Sequence, residues 1–129
     1  MRIAGLGFRK GAALGSLRDA LTAAGGAEGV VALATAAEKA DDAILKALAS
    51  ELRLPVRGIA PAALAAVETQ TRSARVTQRF GAGSVAEAAA LVAAGPGARL
   101  LQPRAISSDR MATAAIAEMT AAIAEIMDK

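Results

Sequence analysis

Cysteine and histidine are both missing from the 129 residues. Without cysteine there can be no disulfide, thiolate nucleophile or zinc ribbon. Without histidine the chain lacks the commonest metal ligand and the commonest general base, so Ser-His-Asp and Cys-His mechanisms are excluded. Any catalysis would have to rest on carboxylates, lysine, hydroxyls or backbone amides. Tryptophan and tyrosine are absent too, and Phe8 and Phe80 are the only aromatic residues, which leaves little on which bases could stack. Charge of one sign is also scarce: 15 basic and 12 acidic side chains give a net +3 with no dense basic run, so no nucleic-acid partner is expected. No window approaches the roughly 20 apolar residues of a membrane span, because arginines and acids interrupt the alanine-rich stretches. Met1-Arg2-Ile3-Ala4-Gly5-Leu6-Gly7 reads as a short strand; a secretory signal would place a longer apolar run after its charge. A soluble, cytoplasmic protein with no membrane partner, no metal and no cofactor is the expectation.

What is present is alanine. The chain is 54% hydrophobic and 21% charged, the balance of a globular domain, and its length suits a single domain over residues 1–129. Small side chains predict thin layers and closely packed elements. Apolar runs at Ile3–Leu6, Val30–Ala34 and Val56–Ile59 predict strands, and Arg99–Pro103 predicts a fourth over Leu100–Gln102. Helices are predicted between them, beginning near Ser16, Asp41, Pro61 and Ser84. Ser16 is a good N-cap with Gly25-Gly26 as the stop, Pro61 suits a first turn, and Ser84-Val85-Ala86-Glu87 has the spacing of a capping box. Arg72, Arg75 and Arg79 would share a face if their stretch were helical. Residues 106–110 read as a polar loop. Ile116, Met119, Ile123, Ile126 and Met127 fall at helical spacing while Thr113 and Ile116 permit a strand, so 111–117 is left open between the two. The fold class expected is α/β: a three-layer α/β/α domain with a mostly parallel or mixed sheet.

In such sheets ligands collect at the carboxyl ends of strands. The first loop there contains Gly5-Leu6-Gly7-Phe8-Arg9-Lys10-Gly11. Its glycines do not have the spacing of a dinucleotide fingerprint, and Lys10 precedes Gly11 where a P-loop needs lysine after glycine. Gly5 and Gly7 serve either a ligand or close packing. Arg9 and Lys10 stand where surface charge and ligand contact are equally available readings. Lys39 with Asp42 is either a helical ion pair or part of a site at the same rim, and Ser84 with Glu87 favours the cap over the ligand.

These segments, in order, resemble the CobE/CbiG C-terminal family of cobalamin-biosynthesis proteins. Gly5–Gly11 is similar to that family's opening, and Ala34–Asp42 resembles its second motif, with Lys39 at the lysine and Asp42 where glutamate is usual. Gly81-Ala82-Gly83-Ser84-Val85-Ala86-Glu87-Ala88-Ala89-Ala90-Leu91 is similar to its most specific motif. Leu100–Arg104 resembles a strand that usually ends in Pro-Lys, with Arg104 in place of lysine, and Met111–Ala117 resembles the family's last strand.

The resemblance implies a role in corrin ring formation: binding or carrying a precorrin-type tetrapyrrole, or assisting lactone opening during ring contraction, with other enzymes of the pathway as partners. The full-length CbiG-type chain carries an N-terminal portion that this sequence lacks, so hydrolysis does not transfer with the resemblance. The ligand-binding candidates are Gly5, Gly7, Arg9, Lys10, Lys39, Asp42, Ser84, Glu87 and Arg104. A nucleotide- or phosphate-binding module and a non-catalytic partner subunit remain as alternatives.

Overall fold

A computed structural model describes residues 1–72, 82–95, 97–101 and 104–119. The chain runs β1 (Arg2–Phe8), α1 (Leu14–Ala23), β2 (Val30–Ala36), a 3-10 turn (Ala37–Lys39), α2 (Ala43–Leu52), β3 (Val56–Ile59), α3 (Pro61–Arg72), α4 (Ala82–Ala94), β4 (Arg99–Leu100), β5 (Ala105–Ile106) and β6 (Ala112–Glu118). The described strands form one mixed sheet in the order β3-β2-β1-β6-β4, with β5 also paired to β6. β1, β2 and β3 are parallel. β6 enters antiparallel between β1 and β4, and all seven residues of β1 pair with it, from Arg2 opposite Glu118 to Phe8 opposite Ala112.

The open question at 111–117 is therefore settled as strand. Alanine is mildly disfavoured in strands, but both faces of β6 are covered, and Ala112 to Ala117 are all buried. Cross-strand pairing and burial decide the conformation that local propensity left undecided. Ala105–Ile106, expected in or beside a loop, adds a short strand against Ala114 and Thr113. The fourth predicted strand is shorter than expected, covering Arg99–Leu100. Gln102, Pro103, Arg75, Arg79 and the periodic positions 123, 126 and 127 lie outside the described residues.

Alternate residues of β1 feed two cores, as a strand's two-residue period requires. Ala4, Leu6 and Phe8 pack with Leu17 and Leu21 of α1 and Leu45 and Leu48 of α2. Ile3, with Ala32 and Ala34 of β2, packs with Ala89, Ala90 and Ala94 of α4. Helices on both faces make the expected three layers.

Helix starts differ from the sequence expectation by about one turn or less. α1 begins at Leu14 with Ala13 as N-cap, so Ser16 sits inside the first turn, where its Oγ accepts from the Ala13 N–H at 3.3 Å. That Oγ also donates to Asp109 Oδ2 at 2.6 Å, a partner 93 residues away that no local pattern could announce. The predicted stop is present: the N–H groups of Gly25 and Gly26, both at positive φ, close onto the Thr22 and Leu21 carbonyls at 3.1 and 2.9 Å. α2 is capped by Asp42, whose Oδ1 accepts from the Ile44 N–H at 3.0 Å. α3 begins at Pro61 as expected. α4 begins at Ala82, which places Ser84 third in the helix and not at its cap. No helix among the described residues is long and apolar enough to cross a membrane.

Candidate functional site

The parallel strands β1 and β2 end side by side, and the segments leaving them meet at that edge of the sheet. Phe8 closes β1, buried on the α1/α2 side. Ala36 closes β2 and runs directly into the 3-10 turn ending at Lys39. The turn carries Lys39 back over the end of β1. Its Nζ donates to the Phe8 carbonyl and stands 4.8 Å from the centroid of the Phe8 ring. A cation so held is attracted by the ring face and has already given up much of its side-chain freedom.

Two hollows adjoin this lysine. An outer, open groove of about 500 Å³ is bordered by Phe8, Lys10, Glu38, Lys39, Asp41 and Asp42. A narrower inner hollow of about 240 Å³ is lined by Gly7, Thr35, Ala36 and Val85, with Phe8, Glu38 and Lys39 as the wall between the two. Val85 belongs to the first turns of α4, so this helix and the end of β1 bound the inner hollow.

The structure thus brings Gly7, Lys10, Lys39 and Asp42 together around Phe8. Lys39 and Asp42 are not joined as a helical ion pair: the Asp42 carboxylate is engaged as the α2 cap, and the Lys39 ammonium points to Phe8. Asp41 stands 3.6 Å from Lys46 Nζ. Arg9 is exposed just past β1, its N–H donating to the Met111 carbonyl at 2.9 Å, and it borders neither hollow.

Gly5 lies elsewhere, under α4. A Cβ there would fall 2.0 Å from the Ala86 carbonyl oxygen and 2.8 Å from the Ala90 nitrogen. Close helix approach explains this glycine, the packing alternative of the two that the sequence left open. Glu87 and Arg104 meet each other on the β6 side of α4: Glu87 Oε2 accepts from the Arg104 N–H at 3.2 Å. The capping-box reading of Glu87 is corrected accordingly, since its carboxylate holds the β4–β5 connection and the helix starts two residues before Ser84.

Residues the sequence did not single out are Phe8, Glu38, Thr35 and Val85. Phe8 carried a signal, being one of two aromatic residues and standing two residues past a predicted strand. Thr35 is fully buried and its hydroxyl donates to the Leu6 carbonyl at 2.8 Å, a pairing visible only in three dimensions.

The first turn of α1 is where a dinucleotide-binding protein would receive phosphate. Here the Ser16 hydroxyl of that turn is bonded to a carboxylate of the protein, Asp109. Asp109 accepts from Ser16 Oγ, from Ser107 Oγ at 2.5 Å and from the Met111 N–H at 3.1 Å. The Ser107 bond, then those of Ser16 and Met111, hold its carboxyl below the ordinary aspartate range. Asp19 of α1 accepts from the Ser108 N–H and hydroxyl, which lower its carboxyl likewise. One carboxylate, that of Asp109, thus stands at the first turn of α1, where a phosphate would meet like charge.

Comparison with known proteins agrees with the resemblance in the sequence. The family model described as "Cobalamin synthesis G C-terminus" matches residues 2–124. The structure is similar to cobalamin biosynthesis protein chiG from Agrobacterium tumefaciens str. C58, at 42% identity over 93% of this chain and 99% of that one, with TM-score 0.71. It is also similar to CobE, a protein from the cobalamin (vitamin B12) biosynthetic pathway, at 33% identity over 93% of this chain and 91% of that one, with TM-score 0.71. A cobalamin biosynthesis protein G homolog from Sulfolobus solfataricus, 20% identical over 92% of this chain and 37% of that one, shares the fold at TM-score 0.63. No curated protein matches the chain.

Proposed function

The chain belongs to the cobalamin synthesis G C-terminus family, and from that premise we propose that it binds a carboxylate-rich, precorrin-type tetrapyrrole during corrin ring formation and hands it on. The observation that carries this reading is the seating of Lys39 against the Phe8 carbonyl and ring, with Lys10 on the same groove. A large flat ring edged with acetate and propionate arms needs cations along a rim and an apolar surface beneath. Lys10 and Lys39 supply the cations, and Phe8, buried beneath Lys39, holds its ammonium in place. Two of the groove's three acids have partners of their own, Asp42 at the α2 cap and Asp41 beside Lys46, and Glu38 stays at the groove as a counter-charge that limits how many carboxylates it takes. Arg9 extends the cationic edge past β1, and Arg104 stands after β4. This is binding chemistry, and it assigns no lactone-opening step to these residues. The protein would act in the cytoplasm, receiving the intermediate from one pathway enzyme and releasing it to another.

Visible-absorbance titration with precorrin-type intermediates tests the reading, since the macrocycle reports its own environment. Each charged contact contributes about 1.5–3 kcal/mol, so Lys39→Ala and Lys10→Ala should each weaken binding roughly tenfold or more with the fold intact. Lys39→Ala should have the larger effect, because its ammonium is preorganised. Spectra that do not respond to any intermediate, or equal affinities for wild type and both variants, would end it.

A further inference from the structure

Among the described residues Lys39 is the one ammonium common to both hollows, and the two differ in what they can hold. Pockets that enclose a drug-sized molecule begin at about 300 Å³. At about 240 Å³ the inner hollow is below that, too small for a macrocycle. It has room for a few heavy atoms, given the roughly 30 Å³ that one water occupies in the liquid. Among the described residues its polar endowment is equally narrow. The Thr35 hydroxyl is committed to the Leu6 carbonyl, and Gly7, Ala36 and Val85 offer no side-chain donor. Among the described residues Lys39 Nζ has one hydrogen bond, to Phe8, and an ammonium has three donors.

We propose that the inner hollow is a side-arm subsite: it takes one acetate or propionate arm of the macrocycle, whose carboxylate meets Lys39 from the inside, while the ring itself lies across the outer groove. The proposal rests on the tetrapyrrole-binding reading above and adds a distinct place for one substituent. Gly7, Ala36 and Val85 line the arm's methylenes, the Lys39–Phe8 contact fixes the ammonium beforehand, and only an arm of this length with a free carboxylate satisfies both. Glu38, on the wall between the hollows, opposes a second negative charge there and restricts occupancy to a single arm.

The probes are a corrin heptacarboxylic acid and its heptamethyl ester, titrated by visible absorbance. Val85→Phe and Ala36→Leu fill the inner hollow without touching the outer groove. Either variant should weaken the acid tenfold or more, and Glu38→Gln should tighten it a few-fold. Melting temperatures identify any variant whose loss comes from misfolding. Independently of all variants, the Val85 methyl resonances of the wild type should shift on saturation with the acid. Acid that binds the wild type with unmoved Val85 methyls, or with the same affinity in the well-folded filled variants, overturns the subsite and leaves the parent reading standing. A wild type that binds neither probe overturns both.

Discussion

The two faces of the sheet are built from different materials. On one, α1 and α2 meet β1 and β2 through leucines: Leu6, Leu17, Leu21, Leu33, Leu45 and Leu48. On the other, α4 lies almost directly on β1, through Ala86, Ala89, Ala90 and the bare backbone of Gly5. Thickness decides tolerance. A layer of long side chains has rotamers that can readjust, whereas a contact between backbones has none. The thin face also sets the position of α4, and through Val85 the width of the inner hollow. The function-bearing geometry depends more on the alanine side than on the leucine side.

The largest effect expected from this contrast belongs to the smallest substitution. Gly5→Ala adds one methyl, and its carbon would stand 2.0 Å from a helix carbonyl, so α4 must lift off the sheet. We expect a loss at or above about 3 kcal/mol, the upper end for overpacking, read as a collapse of the urea midpoint or as failure to fold. A variant that melts like the wild type would show that the thin face is as adaptable as the thick one. Next comes a cavity on the leucine side. Leu48→Ala should cost about 2.5 kcal/mol, toward the low end for buried leucine because neighbouring leucines can close in. A loss exceeding that of Gly5→Ala would invert the comparison.

The smallest effect concerns how the leucine face is tied to the far end of the chain. Asp109, after β5, clasps Ser16 of α1, and its carboxyl is held below the ordinary aspartate value of 3.8. A depressed native value means stability that is present above the unfolded value and lost as pH falls through the native one. Asp109→Asn should therefore melt below wild type near neutrality, with the gap closing as pH drops below about 4. A gap constant with pH would show that the clasp works without its charge.

Much of the architecture is legible in local sequence signals. The strand runs at Val30 and Val56, the glycine stop at Gly25-Gly26 and the proline start at Pro61 each mark the element expected. Lys39 and Lys10 are legible as rim residues because parallel strands place their carboxyl ends together. The site's floor is not, since Phe8 becomes functional only when a turn 31 residues later returns a lysine to its carbonyl. Ser16 and Ser84 look like caps because serine before an apolar run is what a cap requires. The real starts fall earlier, at Leu14 and Ala82. In α1 the extra turn draws on Asp109, which is distant in sequence.

By itself the sequence determined the alternation of elements, the three-layer class, the family and the absence of thiol, imidazole and disulfide chemistry. These come from residue types and short spacings, which act within a few residues of one another. Tertiary structure alone decided that residues 112–118 pair antiparallel between β1 and β4 in the sheet's interior, that Gly5 is a contact point for α4, and that Lys39 closes over Phe8 between two hollows. Each of these depends on hydrogen bonds and contacts between segments tens of residues apart. Burial and backbone pairing fix such choices only once the whole chain is in place.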